Sequence, residues 1–246
     1  CPERILQGSA LVELPKLTQI VSGINEKSIK QAKIFFEKNI TKKIIVTGTF
    51  EAELIKLFSN ALRYINFAIS NEFYTICKTF GVSYEKIRKD MMTGYERNNN
   101  LFKAGFAAGP CLVKDTIQLN SLLNNRFDLV KSALRVNQNF PNFLIKNLEK
   151  TYNIKNKVVG ILGMAFKSDV DDIRDSLSLK LIKILKNKKI KFLKSDEYFK
   201  DDQSVSKEFL VKNSDIIIVA VPHKNYKNLS VKKSKILIDT WNIINK

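Results

Sequence analysis

The sequence predicts an α/β protein, and three stretches carry that prediction. From residue 155 onward short apolar runs alternate with helical periodicity, the pattern of a doubly wound parallel sheet. Residues 18–48 read strand, helix, strand. Between these regions, residues 51–79 repeat apolar side chains at spacings of three and four without interruption, which predicts one helix of about eight turns.

Taken in order, "TQIVSG" (18–23) is a strand, "NEKSIKQAKIFFEKN" (25–39) a helix with Asn25 as its cap, and "KKIIVTG" (42–48) a second strand. That αβ fragment is too small to close a sheet alone. The helix over 51–79 is of the long kind that packs against a partner. After Gly81, shorter helices are expected over 83–92, 112–124 and 127–149, the last broken near Pro141 because proline removes a backbone donor and crowds the preceding turn. The C-terminal unit then runs "NKVVGILG", a strand ending in glycine; "DSLSLKLIKILKN", a helix capped near Asp175; and the strands "KIKFLKSD", "DIIIVAVPH" and "SKILIDTWN". Three units follow, over 1–50, 51–150 and 151–246.

The 246 residues, 44% hydrophobic and 27% charged, suit a globular chain with a sizeable core. No apolar run nears the ~18 residues of a membrane span. Three cysteines (Cys1, Cys77, Cys111) without CxxC spacing argue against a disulfide framework and a structural zinc site, and point to a reducing, cytoplasmic compartment. No secretory leader is visible. A net charge of +18 would attract polyanions. The lysines are scattered among the aliphatic residues of helices and strands, as on solvated faces, which weakens a nucleic-acid reading and leaves anionic small substrates open.

The stretch "KAGFAAGPCLVKDTIQ" (103–118) is the chemically unusual one. Gly105 and Gly109 allow close backbone approach to a ligand, Pro110 suits a first helical position, and Cys111 then falls in the first helical turn. There the positive end of the helix dipole favours a thiolate, and Asp115 lies on the same face one turn later. Covalent catalysis and inert packing of a cysteine both remain open on spacing alone. Lys56 and Asn60 make a second pair, four apart in the long apolar helix with Glu53 a turn earlier; they either face solvent or point into a cleft, with Lys56 as a cation for a developing oxyanion or as an acid. Gly160 and Gly163 in "GILGMAFK" mark a strand end without the full GxGxxG spacing, compatible with a phosphate site or with plain packing. His223, the only histidine, reads as a loop or core residue rather than a catalytic one.

Together these segments resemble the UDP-glucose/GDP-mannose dehydrogenase family, the nucleotide-sugar 6-dehydrogenases. The resemblance rests on "CPERILQG", "AELIKLFSNALRYINFAISNE", "GFAAGPCLVKDT" and "GILGMAFKSDVDDIRDS", four ordered motifs along nearly the whole chain. It implies oxidation of the C6 alcohol of a UDP-sugar (UDP-glucose or a UDP-N-acetylhexosamine) to a uronic acid, with two hydrides passed to NAD. Cys111 would form a thiohemiacetal and then a thioester. Lys56 and Asn60 would hold oxyanions and water, and Asp115 and Glu3 would handle protons. Arg97 and Phe102 would reach the substrate, Arg97 across a homodimer built on helix 51–79. Gly105 and Phe106 would cradle the sugar, Lys167 would bind the nucleotide sugar, and Gln7 and Arg174 would lie on the cofactor side. The fold it implies is a remnant of a Rossmann domain, a central long-helix dimerisation domain and a C-terminal UDP-binding domain.

The sequence departs from the family at several points. Phe106, Ala107 and Ala108 stand where more glycine is common, Gln7 replaces a glutamate of some members, and Trp241 in "DTWN" stands where a basic residue is frequent. No GxGxxG precedes Cys1, so residues 1–50 look like the tail of a dinucleotide-binding domain, and this chain is expected to be incomplete for activity. A non-catalytic, dimerising UDP-sugar-binding remnant and a charge-driven nucleic-acid module are the competing readings.

Overall fold

The computed structural model describes residues 1–5, 7–40 and 43–244. A short helix α1 (Ala10–Glu13) precedes strand β1 (Gln19–Val21), helix α2 (Glu26–Asn39) and strand β2 (Ile44–Val46), and β1 and β2 pair in parallel. The side chain of Asn25 accepts the Ser28 N–H at 2.9 Å, which satisfies one of the orphan donors at the start of α2.

Helix α3 (Thr49–Thr79) runs 31 residues, about 46 Å at the standard rise. It stops at Gly81, whose positive φ lets the Val82 N–H turn back to the Cys77 carbonyl at 2.9 Å. Helix α4 (Tyr84–Met92) starts on a Ser83 cap, and α5 (Pro110–Leu122) starts on Gly109 with Pro110 at its first position. Helix α6 (Asp128–Thr151) is continuous through Pro141, contrary to the expected break. Pro141 is buried in that helix, beside Phe140 and Leu144 of the core, so tertiary packing holds the axis together despite the missing backbone donor.

The C-terminal unit is a four-stranded, all-parallel sheet in the order β4-β3-β5-β6, with β3 Val159–Leu162, β4 Phe192–Ser195, β5 Ile216–Val219 and β6 Ile236–Ile238. Helices α7 (Leu177–Asn187) and α8 (Lys207–Asn213) complete the crossovers. The cap of α7 is Ser176, one residue beyond the expected Asp175, because Asp175 adopts a left-handed φ of 54° while the Ser176 hydroxyl receives the Ser178 N–H. The central strands alternate strictly. Val159, Ile161, Ile216 and Ile218 face a core shared with α6, α7 and the end of α3. Leu162, Ile217 and Val219 face the opposite side, against Leu210 of α8 and Tyr226. Each such side chain contributes roughly 1.5–3 kcal/mol by leaving water. Gly160 is glycine because α8 lies on it: a Cβ there would come within 2.4 Å of the Leu210 side chain. The first core therefore welds the helical half to the sheet and fixes how α3 and α5 meet the strand ends. Among the described residues no helix is long and apolar enough to cross a membrane.

Candidate active site

In a parallel sheet, ligands sit beyond the carboxyl ends of the strands where the strand order reverses. Here that point lies between β3 and β5, whose following crossovers leave toward β4 on one side and β6 on the other. A cleft of about 800 Å³ opens there, walled by the exits of β3 (Phe166, Lys167), β5 (Ala220, Val221) and β6 (Trp241), by α3, by the start of α5 and by the N-terminal segment.

One buried carboxylate sets the sheet side of this cleft. Asp196, directly after β4, accepts the N–H groups of Met164 (2.5 Å) and Ala165 (3.1 Å) with one oxygen and those of Tyr198 (2.7 Å) and Phe199 (3.0 Å) with the other. His223, fully buried after β5, meets the same carboxylate at 3.0 Å through Nε2, while its Nδ1 accepts the Asp169 N–H at 2.9 Å. Because Nδ1 is an acceptor, Nε2 carries the proton and donates to Asp196. Despite burial, the hydrogen bond from His223 and the backbone donors draw the Asp196 pKa down to about 2. This hub ties together the loops after β3, β4 and β5, including the one that carries Lys167. His223 is thus a core residue, as its sequence position suggested.

The helical side is set by an amide ladder. The Asn71 side chain of α3 accepts the Gly105 N–H at 2.8 Å and donates to the Gly105 carbonyl at 3.1 Å and to Asn137 at 2.9 Å, and Asn137 donates to the Tyr64 carbonyl at 2.8 Å. Both asparagines are fully buried. Their amides satisfy each other and fix the loop that delivers Cys111.

Of the residues singled out from sequence, Glu3, Gln7, Lys56, Asn60, Phe106, Cys111, Lys167 and Arg174 line this one cleft. Cys111 is exposed in the first turn of α5. Lys56 donates to the Glu3 carbonyl at 2.6 Å and lies 3.8 Å from its carboxylate, so the N-terminal segment is strapped onto α3. Asp115 is buried behind the cleft wall and reaches it through Asn60, whose amide donates to it at 2.5 Å. Lys167 donates to the Gln7 carbonyl, and the Gln7 amide reaches Asp172 at 3.5 Å. Asp172 grips the Arg174 guanidinium at 2.7–3.1 Å, which pulls its own pKa down to about 2.

Three expected contacts lie outside the cleft of a single chain. Arg97 is exposed on a turn with its guanidinium 5.8 Å from the Tyr95 ring centroid. The Phe102 ring packs edge-on to Phe67 at 5.0 Å, and its carbonyl is held by Tyr84 and Ser70. Gly105 is covered: a Cβ there would lie 2.3 Å from the indole of Trp241, just as one on Gly109 would lie 2.6 Å from the Phe166 ring. The two glycines accept aromatic side chains from the C-terminal half, and those rings line the cleft beside Ala107, Ala108 and Gly109.

Sequence reasoning missed Arg4, Arg63, Phe67 and Phe166 as lining residues, and Asn71 and Asp196 as their supports. Among the described residues the cleft is lined by Arg4, Lys56, Arg63, Lys167 and Arg174 against Glu3, with Asp172 paired to Arg174 behind it, a field suited to an anion. Desolvation lowers the Lys167 pKa, and neighbouring Arg63 lowers it further. An anionic ligand would oppose both effects by favouring the charged ammonium.

Comparison with known proteins agrees with this geometry. Residues 50–139 match the central domain, and residues 160–246 the UDP-binding domain, of the UDP-glucose/GDP-mannose dehydrogenase family. The chain belongs to this family. Family relatives include the UDP-N-acetyl-D-mannosamine dehydrogenases of Methanocaldococcus jannaschii, 31% identical over 258 residues, and of Methanococcus vannielii, 33% identical over 260. In both cases the alignment covers all of this chain and 60% of the relative, so the chain spans about three-fifths of the curated relatives it matches. A solved structure of the UDP-D-ManNAc dehydrogenase from Pyrococcus horikoshii superposes with a TM-score of 0.83 at 29% identity, over 93% of this chain and 56% of that one. The matched central domain holds Lys56, Asn60, Cys111 and Asp115, and the matched UDP-binding domain holds Lys167 and Arg174.

Proposed function

We propose that this chain supplies the nucleophile and the nucleotide-sugar site of an NAD-dependent UDP-sugar 6-dehydrogenase. The observation that carries the reading is the opening of Cys111, at the N-terminus of α5, into the same basic cleft as Lys56, Asn60 and Lys167 at the sheet's switch point. The diphosphate is drawn to the basic rim, with Lys167 as its main contact. This leaves the sugar against the 103–110 loop, with C6 near Cys111.

In this reading Cys111 Sγ adds to the C6 aldehyde to give a thiohemiacetal, and hydrolysis of the later thioester releases the carboxylate and returns the thiol. Lys56 holds the oxygen that becomes negative during addition and hydrolysis. Asn60, oriented by buried Asp115, positions the attacking water, and Glu3 beside Lys56 takes up the proton. NAD, when bound, supplies the hydride acceptor for the two oxidations. The residues present fit the reactive end of such a cofactor, because Cys111, Gln7 and Arg174 share one cleft and Asp172 fixes the Arg174 guanidinium there.

A homodimer through α3 belongs to the same proposal. Phe58, Leu62, Ile69, Phe73 and Ile76 form an exposed apolar stripe at spacings of three, four and seven, the seam of a helix that packs on another helix. Arg97 would then serve the partner's cleft.

Iodoacetamide labelling of Cys111 combined with calorimetric titration tests the reading. UDP-sugars should bind and protect Cys111, and salt should weaken the binding. Absence of both binding and protection would overturn it, whereas binding without turnover after an NAD-binding domain is supplied would favour a non-catalytic remnant.

A further inference from the structure

The cleft has two walls of different character. Five cations line it, and beside the 103–110 loop, which contributes Phe106, it is aromatic: Trp241 lies on Gly105, Phe166 on Gly109, and Phe67 against Trp241. Trp241 is held in place by three contacts. Its Nε1–H donates to the Ala220 carbonyl at 3.0 Å, its ring meets Phe67 edge-on at 6.2 Å, and the missing Cβ of Gly105 makes room for it. The indole's one polar atom is consumed by the backbone, so the half-buried ring presents only carbon to the cleft.

From this arrangement we infer that Trp241 is a specificity-determining residue that selects a 2-acetamido sugar over the corresponding hexose. The inference rests on the UDP-sugar reading above. With C6 held near Cys111 and the phosphates on the basic rim, the pyranose spans the space next to the 103–110 loop, where Trp241 covers Gly105. The acetamido methyl is the one apolar group that separates an N-acetylhexosamine from its hexose. An apolar wall with no free donor gains by burying that methyl and gains nothing from a C2 hydroxyl, whose water it would displace without replacement. The carbon-only surface and the glycine that admits it point to the same occupant.

Trp241 is the only tryptophan, so its emission reports this wall directly. The chain should be titrated with UDP, UDP-glucose, UDP-N-acetylglucosamine and UDP-N-acetylmannosamine, followed by indole fluorescence and calorimetry. One of the acetamido sugars should bind about tenfold or more tighter than UDP-glucose, and should shift the emission further to the blue than UDP does. Trp241→Ala should reduce that preference to about twofold or less while leaving UDP affinity within about twofold, whereas Trp241→Phe should keep most of it. Equal binding of UDP-glucose and both acetamido sugars would overturn the inference. So would a full emission change with UDP alone, which would put the base on the indole, or an equal loss for every ligand in Trp241→Ala, which would mark a structural role. If Trp241→Ala does not fold, the wild-type emission and Trp241→Phe still decide. Failure of every UDP compound to bind would overturn the UDP-sugar reading itself, and this inference with it.

Discussion

On the sheet side of the cleft every residue of β3 and β5 is buried, while on the helical side α3 leaves Phe58, Leu62, Ile69, Phe73 and Ile76 in solvent. The sheet is covered on both faces, by α8 and Tyr226 on one and by α7 together with α6 and the end of α3 on the other. The long helix buries one face against α5 and α6 and offers the other. The cleft thus joins a sheet whose faces are both covered to a long helix that leaves an apolar stripe in solvent. Exposed apolar side chains in such a stripe mark an interface, whereas the scattered exposed ones elsewhere carry no such meaning.

The largest test of this contrast is Asp196→Ala. It strips four backbone N–H groups and His223 of their partner, so it should cost about 3–5 kcal/mol in urea unfolding and free the Lys167 loop. Acid should do the same by protonation. The folded-state pKa of Asp196 lies at about 2, below its ordinary 3.8, so its stabilisation is complete above about pH 4 and is lost as pH falls through about 2. An unfolding series between pH 5 and pH 2 reads this, and a flat profile would remove the hub from the account.

On the other side, Ile69→Glu with Phe73→Glu should weaken self-association by about 100-fold, because charge would have to be buried in the seam. Light scattering after gel filtration should show monomer with helix content retained. Next in size is Lys167→Met, expected to weaken UDP binding by about tenfold, the scale of one charge-assisted contact, with little change in stability since the lysine already bears a desolvation cost. The smallest effect is Ser206→Ala, which removes the cap that receives the Phe209 N–H at 3.1 Å and should cost about 1 kcal/mol without altering ligand binding.

Much of the fold was legible beforehand. Asn25 and Gly81 end or start their helices where the residue types demand, and the strands after residue 155 follow their apolar runs. The motif residues Lys56, Asn60, Cys111 and Lys167 also converge on one cleft. Pro141 was misread because propensity describes an isolated helix, whereas this one is held on both sides by core contacts. Gly105 and Gly109 were expected to let a ligand approach the backbone, whereas the rings of Trp241 and Phe166 approach them.

The sequence by itself determined the period, the caps and the types of chemistry available, since these depend on neighbours within a turn or a strand. Only the tertiary structure decided that Trp241 and Phe166 would lie on Gly105 and Gly109, that Asn71 would hold the loop before Cys111, and that Asp196 and His223 would clamp three strand exits together. Such pairings join residues distant in the chain, and their energy comes from packing and hydrogen bonds that exist only once the helical half and the sheet share a core.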